Sequence, residues 1–177
     1  MIKFYTLLLY HIEYNILLGS ITYIYDNEDK KIKIQYIEIK DKYINKGYGK
    51  LLLLCLFIDL LDKNIYFIHL YDCSDCSCSS KSIYLKFGFS QTEVNDEEMY
   101  IFFENNTNEY RNIYTKPYRN IKPYKNIKDL IQKNIKNINL NLNYLDNFNE
   151  SFEITKIKSN KPEKNITAKM QNILKFF

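Results

Sequence analysis

Tryptophan is absent from this chain of 177 residues, and glycine and proline are scarce, at four and three residues. Isoleucine, lysine, asparagine and tyrosine are in excess, which indicates a coding sequence biased towards A and T. Because such a bias inflates whole residue classes, we draw no functional prediction from abundance, including that of the 17 tyrosines. Functional predictions therefore depend on the spacing and order of residues.

Long apolar runs are also missing, since no stretch reaches the roughly 18 residues that a membrane-spanning helix needs. Residues 2–10 are apolar, but Lys3, His11 and Glu13 interrupt the pattern and no small-residue cleavage site follows. Four cysteines, three of them within six residues, do not resemble a secreted disulfide framework. We therefore expect no membrane partner and a reducing compartment, either cytoplasmic or nuclear.

Charge is unevenly distributed along the chain. Residues 1–103 contain 11 lysines and 14 acidic residues, whereas residues 104–177 contain 14 basic and 7 acidic residues. The net charge of +4 therefore comes from the C-terminal part. This shift predicts two parts, a folded core at 1–103 and a basic extension rich in Asn, Lys and Ile at 104–177.

The core has a regular succession of patterns. Three β-rich runs, residues 4–10, 16–25 and 31–39, precede a helical apolar pattern that starts at Tyr48. A short apolar strand at 65–70, a helix that ends at Phe87 and a closing hairpin at 89–103 follow. The order β-β-β-α-β-α-β-β predicts an α/β (α+β) fold with a mixed, mainly antiparallel sheet flanked by helices.

Two glycines stand between the third strand and the first helix. The turn consists of Asn45, Lys46, Gly47, Tyr48, Gly49 and Lys50. A glycine turn at the start of a helix directs backbone N–H groups and the positive end of the helix dipole towards an anion. The third glycine of a dinucleotide fingerprint and the Gly-Lys-Ser/Thr ending of a P-loop are both absent. The turn predicts phosphate binding of another kind.

The turn resembles the pyrophosphate loop of the GCN5-related N-acetyltransferases, Gln/Arg-x-x-Gly-x-Gly/Ala, with Ile44 in place of Gln or Arg. A second block, Tyr84-x-x-x-Gly88-Phe89, resembles the end of a late helix in the same family. The resemblance covers residues 4–103 and implies a divergent member that lacks the family's first strand and two N-terminal helices.

The resemblance implies transfer of an acetyl group from acetyl-CoA to a primary amine of a small molecule or protein. The pantetheine arm would pair with the backbone of Ile37, Glu38 and Ile39, and the pyrophosphate would lie on the turn at 45–50. Tyr84 would protonate the leaving thiolate, because a hydroxyl of ordinary pKa near 10 keeps its proton at neutral pH.

The general base has several candidates. Asp72 falls where some relatives carry a base, His69 has a suitable intrinsic pKa, and Glu38 is close to the same strands. Many relatives use chains of water molecules instead. The sequence leaves these alternatives open.

Three cysteines, Cys73, Cys76 and Cys78, together with His69, could supply four zinc ligands. Structural zinc sites usually bring ligand pairs from two separate places, so we expect no metal. Ser77 and either Ser79 or Ser80 are predicted to cap the helix that carries Tyr84.

The extension is predicted to be a partly ordered appendage with two amphipathic helices, at 127–138 and 166–177. Each helix needs an apolar surface, either on the core or on a second subunit in a homodimer. The basic, tyrosine-containing stretch 110–128 has no recognised nucleic-acid motif, and we do not expect nucleic acid as a partner. The alternative to an enzyme is a non-catalytic protein of the same fold that holds a protein or nucleic-acid partner with its basic tail.

Overall fold

The computed structural model describes residues 1–72, 82–91, 97–104, 122–139, 152–158 and 161–168, with only the backbone described for 136–139, 152 and 161–168. The chain begins with three antiparallel strands, β1 (Ile2–His11), β2 (Ile16–Asp26) and β3 (Lys31–Ile39). In β1 and β2 every second side chain is buried, the alternation of a sheet with one face in the core.

The remaining elements complete an eight-stranded sheet with helices packed on it. They are a 3₁₀ turn (Asp41–Tyr43), α1 (Tyr48–Asp59), β4 (Phe67–Tyr71), α2 (Ile83–Lys86), β5 (Ser90–Gln91), β6 (Glu98–Phe102), α3 (Ile127–Asn139), β7 (Phe152–Lys158) and β8 (Lys161–Ala168). The strand order is β5-β6-β4-β3-β2-β1-β7-β8. Among these pairings β3 with β4 is parallel and the others are antiparallel, so the predicted mixed sheet and order of elements are confirmed.

A β-bulge at Gln35 shapes the end of β3. Thr22 of β2 pairs with Tyr36 and Tyr23 pairs with Ile34, so Gln35 is one additional residue on β3 opposite this step. Because a bulge reverses the alternation of side chains, isoleucines on both sides of it face the core. These residues are Ile32, Ile34, Ile37 and Ile39. The carboxyl end of β3 therefore still packs on the core.

Helix α1 is apolar on nearly all sides, with every side chain from Leu51 to Phe57 buried. A helix of this kind must be covered on more than one face. The sheet covers one side, and α3 contributes Leu130 and Ile131, neither of them solvent-exposed, to the same core. The helix predicted at 127–138 is thus found as α3. None of the helices in the described ranges is long and apolar enough to span a bilayer.

The second helix predicted in the extension is not found where the chain is described. Ile166 lies in β8, while residues 169–177 lie outside the described residues. The hairpin of β7 and β8 pairs antiparallel with β1, along the edge of β1 that β2 leaves uncovered. Pairing satisfies the backbone N–H and C=O groups of that edge, which explains the preference for strands here.

A buried charge cluster joins β7 to α1. The Nζ of Lys156 donates to both carboxylate oxygens of Asp59, at 2.9 and 2.8 Å, and lies 4.3 Å from the centre of the Tyr5 ring. The Tyr23 hydroxyl donates to the same carboxylate at 2.6 Å. Removing two charges from water costs free energy, which their attraction offsets only when they are well aligned and hydrogen-bonded. The hydrogen bonds to the Asp59 carboxylate provide this alignment.

Candidate active site

The parallel strands β3 and β4 separate after Lys33, the third of the nine residues of β3. In the described structure their pairing runs from Lys31–Phe67 to Lys33–His69 and ends there. Beyond that point β3 remains paired with β2 and β4 remains paired with β6. The carboxyl ends of the two strands therefore diverge, and in α/β sheets such an opening is where ligands bind.

The glycine turn leads from this opening into α1. Asn45 and Gly47 have positive φ angles of 64° and 90°, and the Gly47 carbonyl accepts the first hydrogen bonds of the helix, from the N–H groups of Lys50 and Leu51 at 3.0 and 3.2 Å. A Cβ placed on Gly47 would meet nothing within 4 Å. Gly47, the N-cap residue, provides no side-chain cap for α1, so the N–H groups of the first turn and the positive end of the helix dipole are not covered by a capping side chain.

Gly49, two residues further on, marks where three elements come close together. A Cβ there would lie 3.4 Å from the Cδ1 of Ile83 and 4.0 Å from the Cγ1 of Ile39. The first turn of α1 thus contacts both the end of β3 and the start of α2. The residues predicted to bind the cofactor, 37–39 and 45–50, lie together on this side of the opening.

Side chains around the turn add charge and aromatic surface. The Nζ of Lys46 lies 5.5 Å from the centre of the Tyr43 ring, which in turn packs edge-on against Tyr48 at 6.1 Å. The Glu38 side chain is exposed and forms an ion pair with Lys40 at 2.9 Å. The Glu38 carboxylate is therefore engaged outside the core, and its carbonyl oxygen faces Gly19 of β2.

The motif Tyr84-x-x-x-Gly88-Phe89 forms the C-terminal cap of α2. The Phe89 N–H donates to the Tyr84 carbonyl and the Gly88 N–H to the Leu85 carbonyl, both at 3.1 Å, with Gly88 at a φ of 95°. The Tyr84 and Phe89 rings pack edge-on at 5.9 Å. These are the two hydrogen bonds, the left-handed residue and the apolar contact of a Schellman motif.

The start of α2 is fixed by Ser82. Its Oγ accepts a hydrogen bond from the Tyr84 N–H at 3.3 Å and donates to the Oδ2 of Asp72 at 2.9 Å. Ser82 and Asp72 are each 2% exposed, so this bond is shielded from water. Asp72 thereby ties the end of β4 to the helix that carries Tyr84.

The capping residue differs from the one predicted. Ser82 caps α2, whereas the predicted caps were Ser77 and Ser79 or Ser80, which lie outside the described residues. A serine directly before the apolar residue Ile83 is a helix-start signal that would have identified the cap. It was missed because the helix was expected to begin earlier.

His69 lies on the other face of the sheet, since its neighbours Ile68 and Leu70 point into the core. Its ring stacks on Tyr100, with centroids 5.3 Å apart and planes 14° apart. Burial, and then the nearby Lys33 charge, lower the pKa of His69 to about 4. His69 is consequently neutral at pH 7 and a weak base, far from the pKa near the working pH that suits general bases.

Metal ligands do not cluster in the described part of the chain, where no three His, Cys, Asp or Glu side chains are arranged to hold an ion. Cys73, Cys76 and Cys78, the cysteines of the zinc alternative, lie outside that part. The expectation that no metal binds therefore stays a prediction.

No protein-family model and no curated protein matches the sequence. Among solved structures, the chain is similar to the PaiA N-acetyltransferase of Thermoplasma acidophilum in complex with coenzyme A, at 26% identity and a TM-score of 0.41 over 49% of this chain and 52% of that one. A mutant of the spermidine N-acetyltransferase SpeG of Vibrio cholerae matches at 18% identity and a TM-score of 0.45, over 55% of this chain and 65% of that one.

Tetrahymena GCN5 matches at 11% identity and a TM-score of 0.37, over 50% of this chain and 61% of that one. The chain thus spans between 52% and 65% of the length of these three proteins. Its own strand order, its parallel pair and the glycine turn beside their opening give it the acetyltransferase-like fold that the resemblance implied.

Proposed function

We propose that the protein is an acetyl-CoA-dependent N-acetyltransferase that acts on a primary amine. One observation carries the proposal: the pairing of the parallel strands ends at Lys33 and His69, and beyond the carboxyl end of β3 the chain enters α1 through Gly47, at a φ of 90°. Acetyl-CoA has a pantetheine arm, which contains two amides, and a pyrophosphate group next to that arm. An open strand edge suits the amides and a helix N-terminus suits the pyrophosphate.

Binding of acetyl-CoA would depend mainly on the backbone. The pantetheine amides would pair with the edge of β3 that faces the opening, at residues 37–39, where the backbone groups of Ile37 and Ile39 alternate with those of Glu38. The pyrophosphate would accept hydrogen bonds from the turn at 45–50. Lys46 and Lys50 would add positive charge. Ile44, half exposed and apolar, offers no polar group where the family pattern has Gln or Arg, so the amides and lysines would supply the phosphate contacts.

Tyr84 would act as the general acid. The amine nitrogen attacks the thioester carbonyl carbon, the new C–N bond forms, and the C–S bond breaks. The coenzyme A thiolate takes the proton of the Tyr84 hydroxyl, which is restored from solvent, and the amine gives up its surplus proton to water. Tyr84 is half-buried on α2, directly after Ile83, whose side chain contacts Gly49.

Neither carboxylate nor imidazole is assigned as the base. The Asp72 carboxylate accepts the Ser82 hydroxyl, and the lowered pKa of His69 makes it a weak base. We therefore propose that water removes the amine proton, and keep Asp72 and His69 as alternatives.

Two matched variants test the site by calorimetry with acetyl-CoA and the full-length protein. Asn45→Asp and Asn15→Asp are the same isosteric change at exposed residues with positive φ angles of 64° and 48°. Only Asn45 is in the turn, and a carboxylate there repels the pyrophosphate. We expect about tenfold weaker binding for Asn45→Asp and unchanged binding for Asn15→Asp.

Equal affinities for the two variants, or no binding by the parent chain, would show that the turn is not the site. If acetyl-CoA binds but no primary amine releases its thiol, the chain is the non-catalytic protein of the alternative hypothesis.

A further inference from the structure

Helix α2 is too short to hold its own orientation. It spans four residues, Ile83–Lys86, and isolated helices of even ten residues are marginal in water. Contacts at its two ends must therefore determine where Tyr84 points. Asp72 and Ser82 hold the N-terminal end, as described above.

Asn134 of α3 holds the C-terminal end. Its Nδ2 donates to the carbonyl of Phe87, the C-cap residue of α2, at 3.1 Å, and to the carbonyl of Leu130 at 3.0 Å. Asn134 is 2% exposed. A buried amide costs free energy unless it is hydrogen-bonded, and asparagine is a poor helix former, so neither burial nor helix propensity favours this residue here. Its bond to α2 provides the compensation.

Tyr124 packs over the same end of α2. A Cβ on Gly88 would overlap the Tyr124 hydroxyl oxygen, so a side chain there would displace Tyr124 in addition to being strained by the φ of 95°. The Nζ of Lys133 donates to that hydroxyl at 2.9 Å. The Tyr124 backbone is itself anchored to the end of β6, through its N–H to the Phe102 carbonyl at 2.8 Å.

We propose that Asn134 is a positioning residue for Tyr84, so that the C-terminal extension sets the geometry of the active site without touching the reacting atoms. The catalytic part of this inference rests on the proposed function. Removal of the Asn134 donor leaves the Phe87 carbonyl without that bond and allows α2 to shift. A misplacement of about 1 Å at a catalytic group costs up to about 100-fold in rate.

The position of Tyr84 can be tested without turnover. Full-length protein labelled with 3-fluorotyrosine gives a ¹⁹F spectrum in which the Tyr84 resonance is assigned by its loss in Tyr84→Phe. Asn134→Leu is expected to shift or broaden this resonance. Gln132→Leu, an amide removed from the exposed face of the same helix, is expected to leave it unchanged.

Tyr124→Phe provides a second route if Asn134→Leu does not fold. It removes only the hydroxyl above Gly88 and is expected to move the Tyr84 resonance less. A Tyr84 resonance that is the same in the parent, in the folded Asn134 variant and in Tyr124→Phe would overturn the proposal.

The kinetic arm uses acetyl-CoA with spermidine or Nα-acetyl-lysine as the amine. Asn134→Leu is expected to lower kcat about tenfold while the KM for acetyl-CoA changes less than twofold. In the Tyr84→Phe background the same change should have almost no further effect, because Asn134 acts through Tyr84.

Additive losses in that double-mutant cycle, or a lower thermal stability with an unchanged kcat, would reduce Asn134 to a purely structural residue. If neither amine is acetylated by the parent, the proposed enzyme activity fails on these substrates, and the ¹⁹F comparison still decides whether Asn134 positions Tyr84.

Discussion

The two halves of the candidate site are built differently. The glycine half consists of the end of β3, the turn and the start of α1, which follow one another within residues 37–51, and it presents backbone groups. The tyrosine half is α2, held by Asp72, 10 residues before Ser82, and by Asn134, 47 residues after Phe87. One half is local in sequence and the other depends on distant side chains.

The difference has a physical consequence for mutation. A backbone site depends on chain conformation, so most side-chain changes within it are tolerated except at the glycines. A site held by buried polar side chains is weakened by single substitutions far away in sequence, because each one leaves a buried partner unsatisfied.

The largest expected effect is that of Tyr84→Phe. The change removes one hydroxyl and little volume, so acetyl-CoA affinity should stay within twofold while kcat falls by about 10²- to 10⁴-fold. Calorimetry and thiol release measure the two quantities, and a pH–rate profile checks for a proton supplied by solvent. An unchanged kcat would show that Tyr84 is a packing residue and that the tyrosine half contains no catalytic group.

Asp72→Asn distinguishes an anchoring role from that of a base. The Asn side chain keeps an oxygen that accepts the Ser82 hydroxyl but loses the charge of the carboxylate, so the variant should be less stable by about 1 kcal/mol in urea unfolding. The shape of the pH–rate profile should not change. Asp41→Asn, an exposed acid in the 3₁₀ turn, is the matched control and should alter neither quantity. Full stability with the loss of one limb of the pH profile would instead identify Asp72 as the base.

Alanine at the two glycines of the turn should have opposite effects on stability. Gly47→Ala forces a Cβ into a φ of 90° and should cost about 1–2 kcal/mol. Gly49→Ala should stabilise by about 0.5–1 kcal/mol, because the position is helical and the new Cβ makes an ordinary contact with Ile83 at 3.4 Å. Urea unfolding of the two variants compares them directly, and destabilisation of similar size in both would contradict this turn geometry.

The smallest effect is a pH dependence at His69, on the face away from the helices. Burial and the charge of Lys33 lower its pKa to about 4, against an ordinary value of 6.5. Between these pH values the unfolded chain binds a proton that the folded chain does not, so stability contributed by this residue is lost as the pH falls from 6.5 to 4. His69→Phe retains the stacking on Tyr100 and should show a shallower loss of melting temperature with acid. Parallel melting curves would indicate an unshifted histidine.

Much of the glycine half could be predicted from the sequence, because its signals are local. The strand pattern ending at Ile39 and the glycines at 47 and 49 fall within one short stretch. The bulge at Gln35 could not be predicted, since it depends on the register with β2. The spacing from Tyr84 to Gly88 predicted the end of a helix, which is found as α2. The Schellman motif at this end explains why a glycine and an aromatic residue follow the helix.

The supports of the tyrosine half could not be predicted, because they come from non-local contacts. No local pattern in the Asn- and Lys-rich extension distinguishes Asn134 or Lys156 from its neighbours, and only the fold brings them beside Phe87 and Asp59. His69 was predicted as a candidate base from its intrinsic pKa, but burial on the sheet and the charge of Lys33 lower its pKa in the folded chain. The second helix of the extension was wrong at Ile166, because strand pairing with β7 overrides a weak helical periodicity there.

The central claim, that the opening between β3 and β4 and the turn beside it bind acetyl-CoA, is tested most directly by hydrogen–deuterium exchange of the full chain with and without acetyl-CoA. The account predicts slower exchange for the amides of residues 37–51 and no change for residues 12–15 in the β1–β2 turn. Unchanged exchange at 37–51 under saturating acetyl-CoA, or protection confined to another part of the chain, would contradict it.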